Sequence, residues 1–269
     1  MVAWSVIILF MSLRTLLVPA PLCAGELLLT GDEAHHARTV LRLQVKDQVR
    51  LADGAGRCAV ADITHVGRHD LRLQVAAPEI INDGPAQLLS IAVAPPKGDR
   101  LSDLVRGLTE LGVGAITLLE TERSERLPNN IDRLQRIAGE ALKQCRRAHL
   151  PRLALGATIP TLVQSGARLT VLDRSGRAAA PGTPASVTLV IGPEGGFTPA
   201  ELTELTDGGA ITVCLASPIL RIETAAIAAA AVWSAAWLTD GCLSAARLSA
   251  ASLPGRELSA EPLAHSESV

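Results

Sequence analysis

Apolar positions fall into two regimes along the chain. Up to about residue 80 they come in short stretches that mix with polar residues, at 26–29, 48–52, 58–63 and 70–75. Short β-prone runs bounded by turn residues predict strands. Asp53-Gly54 marks a turn between two of them. One short helix interrupts the series over 31–43, beginning near Asp32 and carrying His35 and His36. Residues 76–85 predict a linker. The first regime therefore predicts a small β-rich domain, 11–80.

From residue 88 the runs are longer and strand-like stretches alternate with helical ones. Residues 88–94 form an apolar strand that Pro95 and Pro96 break, and Asp99 opens a helix to about Leu111. Residues 115–119 predict a strand. Asn130 caps a helix to about His149, stopped by Pro151. Short strands are expected at 153–155 and 169–172. Residues 187–191 are β-branched, apolar and uncharged, which predicts a strand buried on both faces. Thr198, Pro199 and Glu201 make a capping box with proline at the first helical position. Residues 211–215 predict the last strand and 219–238 the last helix, rich in alanine. Trp233 and Trp237 lie four apart and share a face of it. That helix reads either as a core helix or as a subunit interface. Strands alternating with helices predict an α/β domain with a mostly parallel sheet covered on both faces, over 87–240. Residues 241–269 are Ala, Ser, Leu and Pro with little period and are expected to be a loosely ordered tail.

Composition narrows the chemistry. The 269 residues are 48% hydrophobic and 19% charged, which is globular. Aromatics make up 2% and there is no tyrosine, so stacking on an aromatic platform is not the expected way to hold nucleic acid. Net charge is −2, yet residues 121–152 carry eight basic and four acidic side chains, a local +4. That stretch reads as a charged helix face or as a patch for phosphates. The five cysteines are scattered without C-x-x-C spacing, and the six histidines show no H-E-x-x-H. No metal is expected, and a reducing compartment fits. Residues 1–11 are apolar but lack a basic flank, since the first positive charge is Arg14, and they are too few to span a bilayer. Met11 is an alternative start, and the protein is read as soluble and cytoplasmic.

One loop stands out. Strand 187–191 runs straight into Gly-Pro-Glu-Gly-Gly and then into the capping box. In open α/β sheets ligands bind beyond the carboxyl ends of the strands, and glycines expose backbone there. A P-loop would need a lysine after these glycines, and the dinucleotide fingerprint G-x-G-x-x-G is missing. The segment reads as a tight turn or as an uncommon ligand cradle.

Three stretches taken together are more specific: HHARTVLRL (35–43), LVIGPEGGFTPAEL (189–202) and LASPILRIETA (215–225), supported by EALKQCRRAHLP (140–151). In this order they resemble the RsmE family, SPOUT-class methyltransferases acting on N3 of one uridine in small-subunit ribosomal RNA. The resemblance spans about Leu13 to Leu238. It implies a PUA-like β-rich domain, then a SPOUT-type parallel sheet tied in a deep trefoil knot. It also implies S-adenosylmethionine as cofactor and a homodimer. The partner would be small-subunit ribosomal RNA or the assembled small subunit.

The resemblance assigns cofactor contacts to Leu172, Ile191, Gly192, Gly195, Gly196, Leu215, Ile219 and Leu220. Methyl transfer is an in-line displacement, so alignment supplies much of the rate. The N3 proton must also leave, which calls for a base or for stabilisation of a uridine anion. Arg221 is the candidate for stabilising developing charge or for binding phosphate. Glu223 reads as a base or as a partner of Arg221, and Glu194 as a base or as an acceptor within its own turn. His36, Arg38, Arg42, Arg123, Arg146 and Arg147 are the RNA contacts that the resemblance implies. His35 reads as a helix cap or a packed imidazole. Departures from the family pattern are Pro218, where a basic residue is common, Ile222, where threonine is common, and Cys145-Arg146, where small residues are common. Two other readings stay open: a SPOUT methyltransferase on another RNA such as tRNA, and a non-catalytic module that binds RNA or ribosomes.

Overall fold

The computed structural model describes residues 13–251, with side chains through residue 238. The apolar segment 1–11 lies outside them, as do residues 252–269 of the expected tail.

Six strands make the first sheet: β1 (Arg14–Leu17), β2 (Gly25–Thr30), β3 (Gln48–Ala52), β4 (Arg57–Val66), β5 (Asp70–Val75) and β6 (Glu79–Ile80). Their order is β1-β3-β4-β5-β2, with β6 on β4, inside the stretch expected as a linker. β1 joins β3 in parallel and the other pairs are antiparallel. Alternate residues point inward, so Leu71, Leu73 and Val75 of β5 are buried with Val49 and Leu51 of β3. Helix α1 (Gly31–Thr39) closes this core through Ala34 and Ala37.

The second sheet is parallel throughout: β7 (Leu89–Val93), β8 (Ala115–Leu119), β9 (Arg152–Ala157), β10 (Leu169–Ala178), β11 (Val187–Ile191) and β12 (Ile211–Cys214). The spatial order is β12-β10-β11-β7-β8-β9. The chain runs outward from β7 to β9, then returns to the other side of β7, so the direction of winding reverses beside β7 and β11. Helices α2 (Arg100–Glu110), α3 (Ile131–Cys145) and α6 (Ile222–Ala251) meet the core that holds Ile91, Val93, Leu189 and Ile191. Helices α4 (Ile159–Gln164) and α5 (Pro199–Asp207) meet the opposite core, which holds Ala92, Val171 and Val190. Alternate residues of β7 and β11 thus enter different cores, which is why both read as unbroken apolar runs.

Several helix ends differ from the sequence reading. Asp99 stands at the N-cap of α2 but makes no capping bond; its carboxylate lies 3.5 Å from Arg133 Nη2. Asn130 does cap α3, accepting from the Arg133 amide. Yet α3 ends at Cys145 rather than near His149, because Arg146 takes a left-handed conformation, φ 61°. Helix α4 was not expected; Thr158 opens it with a capping box whose third residue is Thr161. Helix α6 starts at Ile222 instead of 219 and continues through Ala251, where a loose tail was expected. Trp233 and Trp237 are buried in the core, and Trp237 Nε1 donates to the Gly182 carbonyl at 2.8 Å. Opposite α6, Gly107 of α2 lets Ile227 approach closely; a Cβ there would stand 2.9 Å from it.

Candidate active site

The middle of β10, where its pairing with β11 ends, and the carboxyl ends of β11 and β12 border one cleft of about 290 Å³, near the lower end for small-molecule sites. Its first wall is the segment from Ile191 to Phe197, and its second is the loop from Cys214 to Leu220 with Ile222 and Ala225. Leu172, Asp173 and Arg174 at the end of the β10 pairing with β11 form the third side. The position is the one that strand order singles out, outside the carboxyl ends where winding reverses.

Local bonds explain the first wall. The Gly196 amide donates to the Pro193 carbonyl at 2.8 Å and closes a turn. Gly196 has φ +68°, which disfavours a side chain, and a Cβ there would meet no atom within 4 Å. At Gly192 a Cβ would stand 3.0 Å from the ring of Phe197, which packs under the loop. The Thr198 and Glu201 capping box is present, so α5 starts directly behind the turn.

Neighbouring loops brace this wall. Glu201 Oε1 accepts from the Glu122 amide at 2.9 Å. Arg123 Nη1 donates to the Gly195 carbonyl at 2.9 Å. Arg100, at the start of α2, places Nη1 2.9 Å from Glu194 Oε1 and 3.8 Å from Glu223 Oε2. Lys97 pairs with Glu125 at 3.0 Å, a contact that raises the ammonium pKa. Lys97 and Arg100 did not stand out in the sequence. Both follow the carboxyl end of an apolar strand, where this fold binds ligands, but nothing local marks the carboxylates they meet.

Leu172, Ile191, Gly192, Gly195, Gly196, Leu215, Ile219 and Leu220 all line the cleft, as does Glu194. Pro218 and Ile222, two of the departures, line it as well. Arg221 is exposed and outside the lining, between two residues that belong to it. Glu223 lies in the first turn of α6, and its Oε2 is buried without a hydrogen-bond donor among the described residues.

The expected RNA contacts divide. Arg123 and Arg146 are exposed. His36 is half-buried and faces a separate groove of about 1050 Å³ between α1 and α3; Arg38 and Arg42 lie outside its lining. Arg147 must be corrected. Its side chain is 7% exposed and donates to the carbonyls of Thr109 at 2.8 Å, Gly112 at 2.9 Å and Val113 at 3.3 Å. It caps the carboxyl end of α2 beside the Asp83 carboxylate, and burial lowers its pKa against the pull of that charge. Its donors are used inside the protein, so it is no phosphate contact. Among the described residues no helix is long and apolar enough to cross a membrane, and no cluster of three His, Cys, Asp or Glu is placed to hold a metal ion.

A parallel sheet with a glycine cleft at its strand ends, behind a small mixed sheet, suits a small-molecule ligand, and the sequence matches place it among RNA methyltransferases. The chain matches the RNA methyltransferase domain over residues 84–234 and the RNA methyltransferase PUA domain over 29–76. It is 32% identical over 220 residues to the ribosomal RNA small subunit methyltransferase E of Mycobacterium bovis, covering 74% of this chain and 82% of that one. A Legionella pneumophila methyltransferase, solved with its bound cofactor SAM, superposes with a TM-score of 0.76 at 28% identity, over 83% of this chain and 98% of that one. An rRNA-methyltransferase of Porphyromonas gingivalis superposes with a TM-score of 0.73 at 30% identity, over 84% of this chain and all of that one. The chain belongs to the ribosomal RNA small subunit methyltransferase E family.

Proposed function

We propose that this protein transfers a methyl group from S-adenosylmethionine to N3 of a uridine in small-subunit ribosomal RNA. The observation that carries the reading is the cleft between the Gly192–Gly196 turn and the Leu215–Leu220 loop. Its residues fit an adenosyl group. Leu172, Ile191, Leu215, Ile219 and Leu220 offer apolar surface to a flat ring, and the glycine turn offers bare backbone to its polar edge. When bound, S-adenosylmethionine supplies an electrophilic methyl on a sulfonium.

The chain's own residues then have three tasks. The braced turn holds one wall still, which keeps donor and acceptor aligned. Glu223, next to the lining residue Ile222, has an Oε2 that makes no hydrogen bond among the described residues and lies 3.8 Å from Arg100, which leaves it as the candidate to accept the N3 proton. Arg221, exposed between Leu220 and Ile222, is suited to meet the negative charge that develops on the uracil oxygens. Glu194 spends one oxygen on Arg100, so its part is to anchor the turn. Arg123 and Arg146, with His36, Arg38 and Arg42 of the first domain, form the RNA-facing set. Two domains, 11–80 and 87–240, divide recognition from transfer, and the enzyme works as a cytoplasmic homodimer. The trefoil threading belongs to the same reading, supported by the Ile191–Phe197 segment and the Cys214–Leu220 loop lining one cleft with Leu172–Arg174 of β10.

The test uses small subunits from cells that lack this gene. Purified protein and S-adenosylmethionine are added, and the RNA is digested for nucleoside mass spectrometry. The expected product is 3-methyluridine at one position. Methylation of transfer RNA instead would move the substrate. No methylation of any RNA, together with no cofactor binding, would leave a binding module.

A further inference from the structure

Arg100 reaches both the glycine turn and the first turn of α6, the helix that carries Ile222 and Ala225 of the second wall, from outside the cleft lining. It belongs to neither wall, since it opens α2 directly after the loop that follows β7. One nitrogen, Nη1, lies 2.9 Å from Glu194 on the glycine turn and 3.8 Å from Glu223 in the first turn of α6. Its Nε is tied to the Lys97 carbonyl at 3.2 Å, which fixes the direction of the guanidinium. The side chains of Arg100 and Glu223 are 30% and 13% exposed, so the second contact is partly screened from water. A guanidinium is planar, always charged and rigid, which suits it to bridge two carboxylates at a set spacing.

We propose that Arg100 is a positioning residue that sets the separation of the two cleft walls before the cofactor arrives. The inference rests on the reading of this cleft as the cofactor site. Without Arg100, Glu194 and Glu223 lose the guanidinium they share, and the glycine turn loses that link to α6. The turn must then be ordered by the ligand, which weakens binding. A lysine has a single ammonium on a flexible stem, so it restores the bridge only in part.

Hydrogen exchange of the amides of Gly192, Glu194, Gly195 and Gly196 is measured first, without ligand, in the parent, Arg100→Ala and Arg100→Lys. Exchange is expected to quicken in Arg100→Ala and to fall between the two in Arg100→Lys, while exchange in the strand cores is unchanged. Calorimetry with S-adenosylmethionine is expected to show affinity reduced about threefold to tenfold in Arg100→Ala. The double change Glu194→Gln with Glu223→Gln is expected to make the arginine replacement nearly silent. Unaltered exchange of the turn in Arg100→Ala overturns the proposal, and so does exchange that quickens equally in the cores. Because exchange is read without ligand, a parent that fails to bind S-adenosylmethionine would overturn the cofactor reading and leave the brace itself decided by the first measurement.

Discussion

Charged side chains gather in two places, and the two use them in opposite ways. At the junction of the domains, Asp83 and Arg147 are each 7% exposed. Arg147 is spent on carbonyls at the end of α2. Asp83 accepts from the amides of Ala148 and His149 and from His149 Nδ1. At the rim of the cleft, Glu194 is 51% exposed, Lys97 and Glu125 form an open pair, and Arg221 faces solvent. Buried charges must satisfy their partners inside the protein, so they hold the structure and leave little for a ligand. Exposed ones contribute little to stability and stay available for RNA and substrate. Two adjacent arginines, 146 and 147, fall on opposite sides of this division.

The largest expected effect tests that division directly. Arg147→Ala removes the guanidinium beside buried Asp83 and its bonds to the end of α2, and should cost about 3–5 kcal/mol in a urea titration. Arg146→Ala should stay within about 0.5 kcal/mol. Equal losses in the pair would erase the distinction. Next comes Gly196→Val, which forces a β-branched residue into a left-handed conformation at about 1–3 kcal/mol and sets a side chain in open space at the cleft wall. Cofactor affinity measured by calorimetry should fall about tenfold or more. Unchanged affinity would remove the glycine turn from the site. Arg221→Ala should lower single-turnover methylation about tenfold while cofactor affinity holds. Undiminished turnover would take Arg221 out of the chemistry.

The smallest effect is in pH. Lys143 joins α3 to the first domain, lying 3.0 Å from Glu33 and 2.8 Å from Glu140. Burial opposes its charge, but the two carboxylates outweigh that, and its pKa is raised above 10.5. Its contribution is therefore complete below pH 10.5 and is lost as pH climbs through the higher folded value. Stability of the parent should drop over that range relative to Lys143→Met. Parallel curves would mean that the contact contributes nothing.

How far the sequence could be read follows the same physics. Val187–Ile191, Ala115–Leu119, Gln48–Ala52 and Asp70–Val75 are strands at the expected positions, because alternation or unbroken apolar character is a local signal. The capping box at Thr198 and Glu201 was equally local. What stayed hidden depends on distant partners. Strand β10 runs on into the polar stretch to Ala178, held by pairing with β12. Helix α3 stops at a left-handed arginine, with no glycine to announce it. The glycine turn was legible as an unusual loop, but Arg100 was not, because its carboxylates lie 94 and 123 positions further along. Arg147 was misplaced for the same reason; Asp83 is remote in sequence and its burial is a property of the junction.

The strand order also sets a timetable for synthesis. The first sheet needs nothing beyond residue 80, so it can close while the rest of the chain is still being made. The cleft is different, for its sides come from the middle of β10, the end of β11, and the stretch from β12 into α6, the last lining residue being Ala225. A nascent chain that has just completed β11 already carries its folded first domain but only part of a cofactor site. Capacity for transfer is thus acquired only once the chain has been made through about residue 225, after the part built to meet RNA has taken shape.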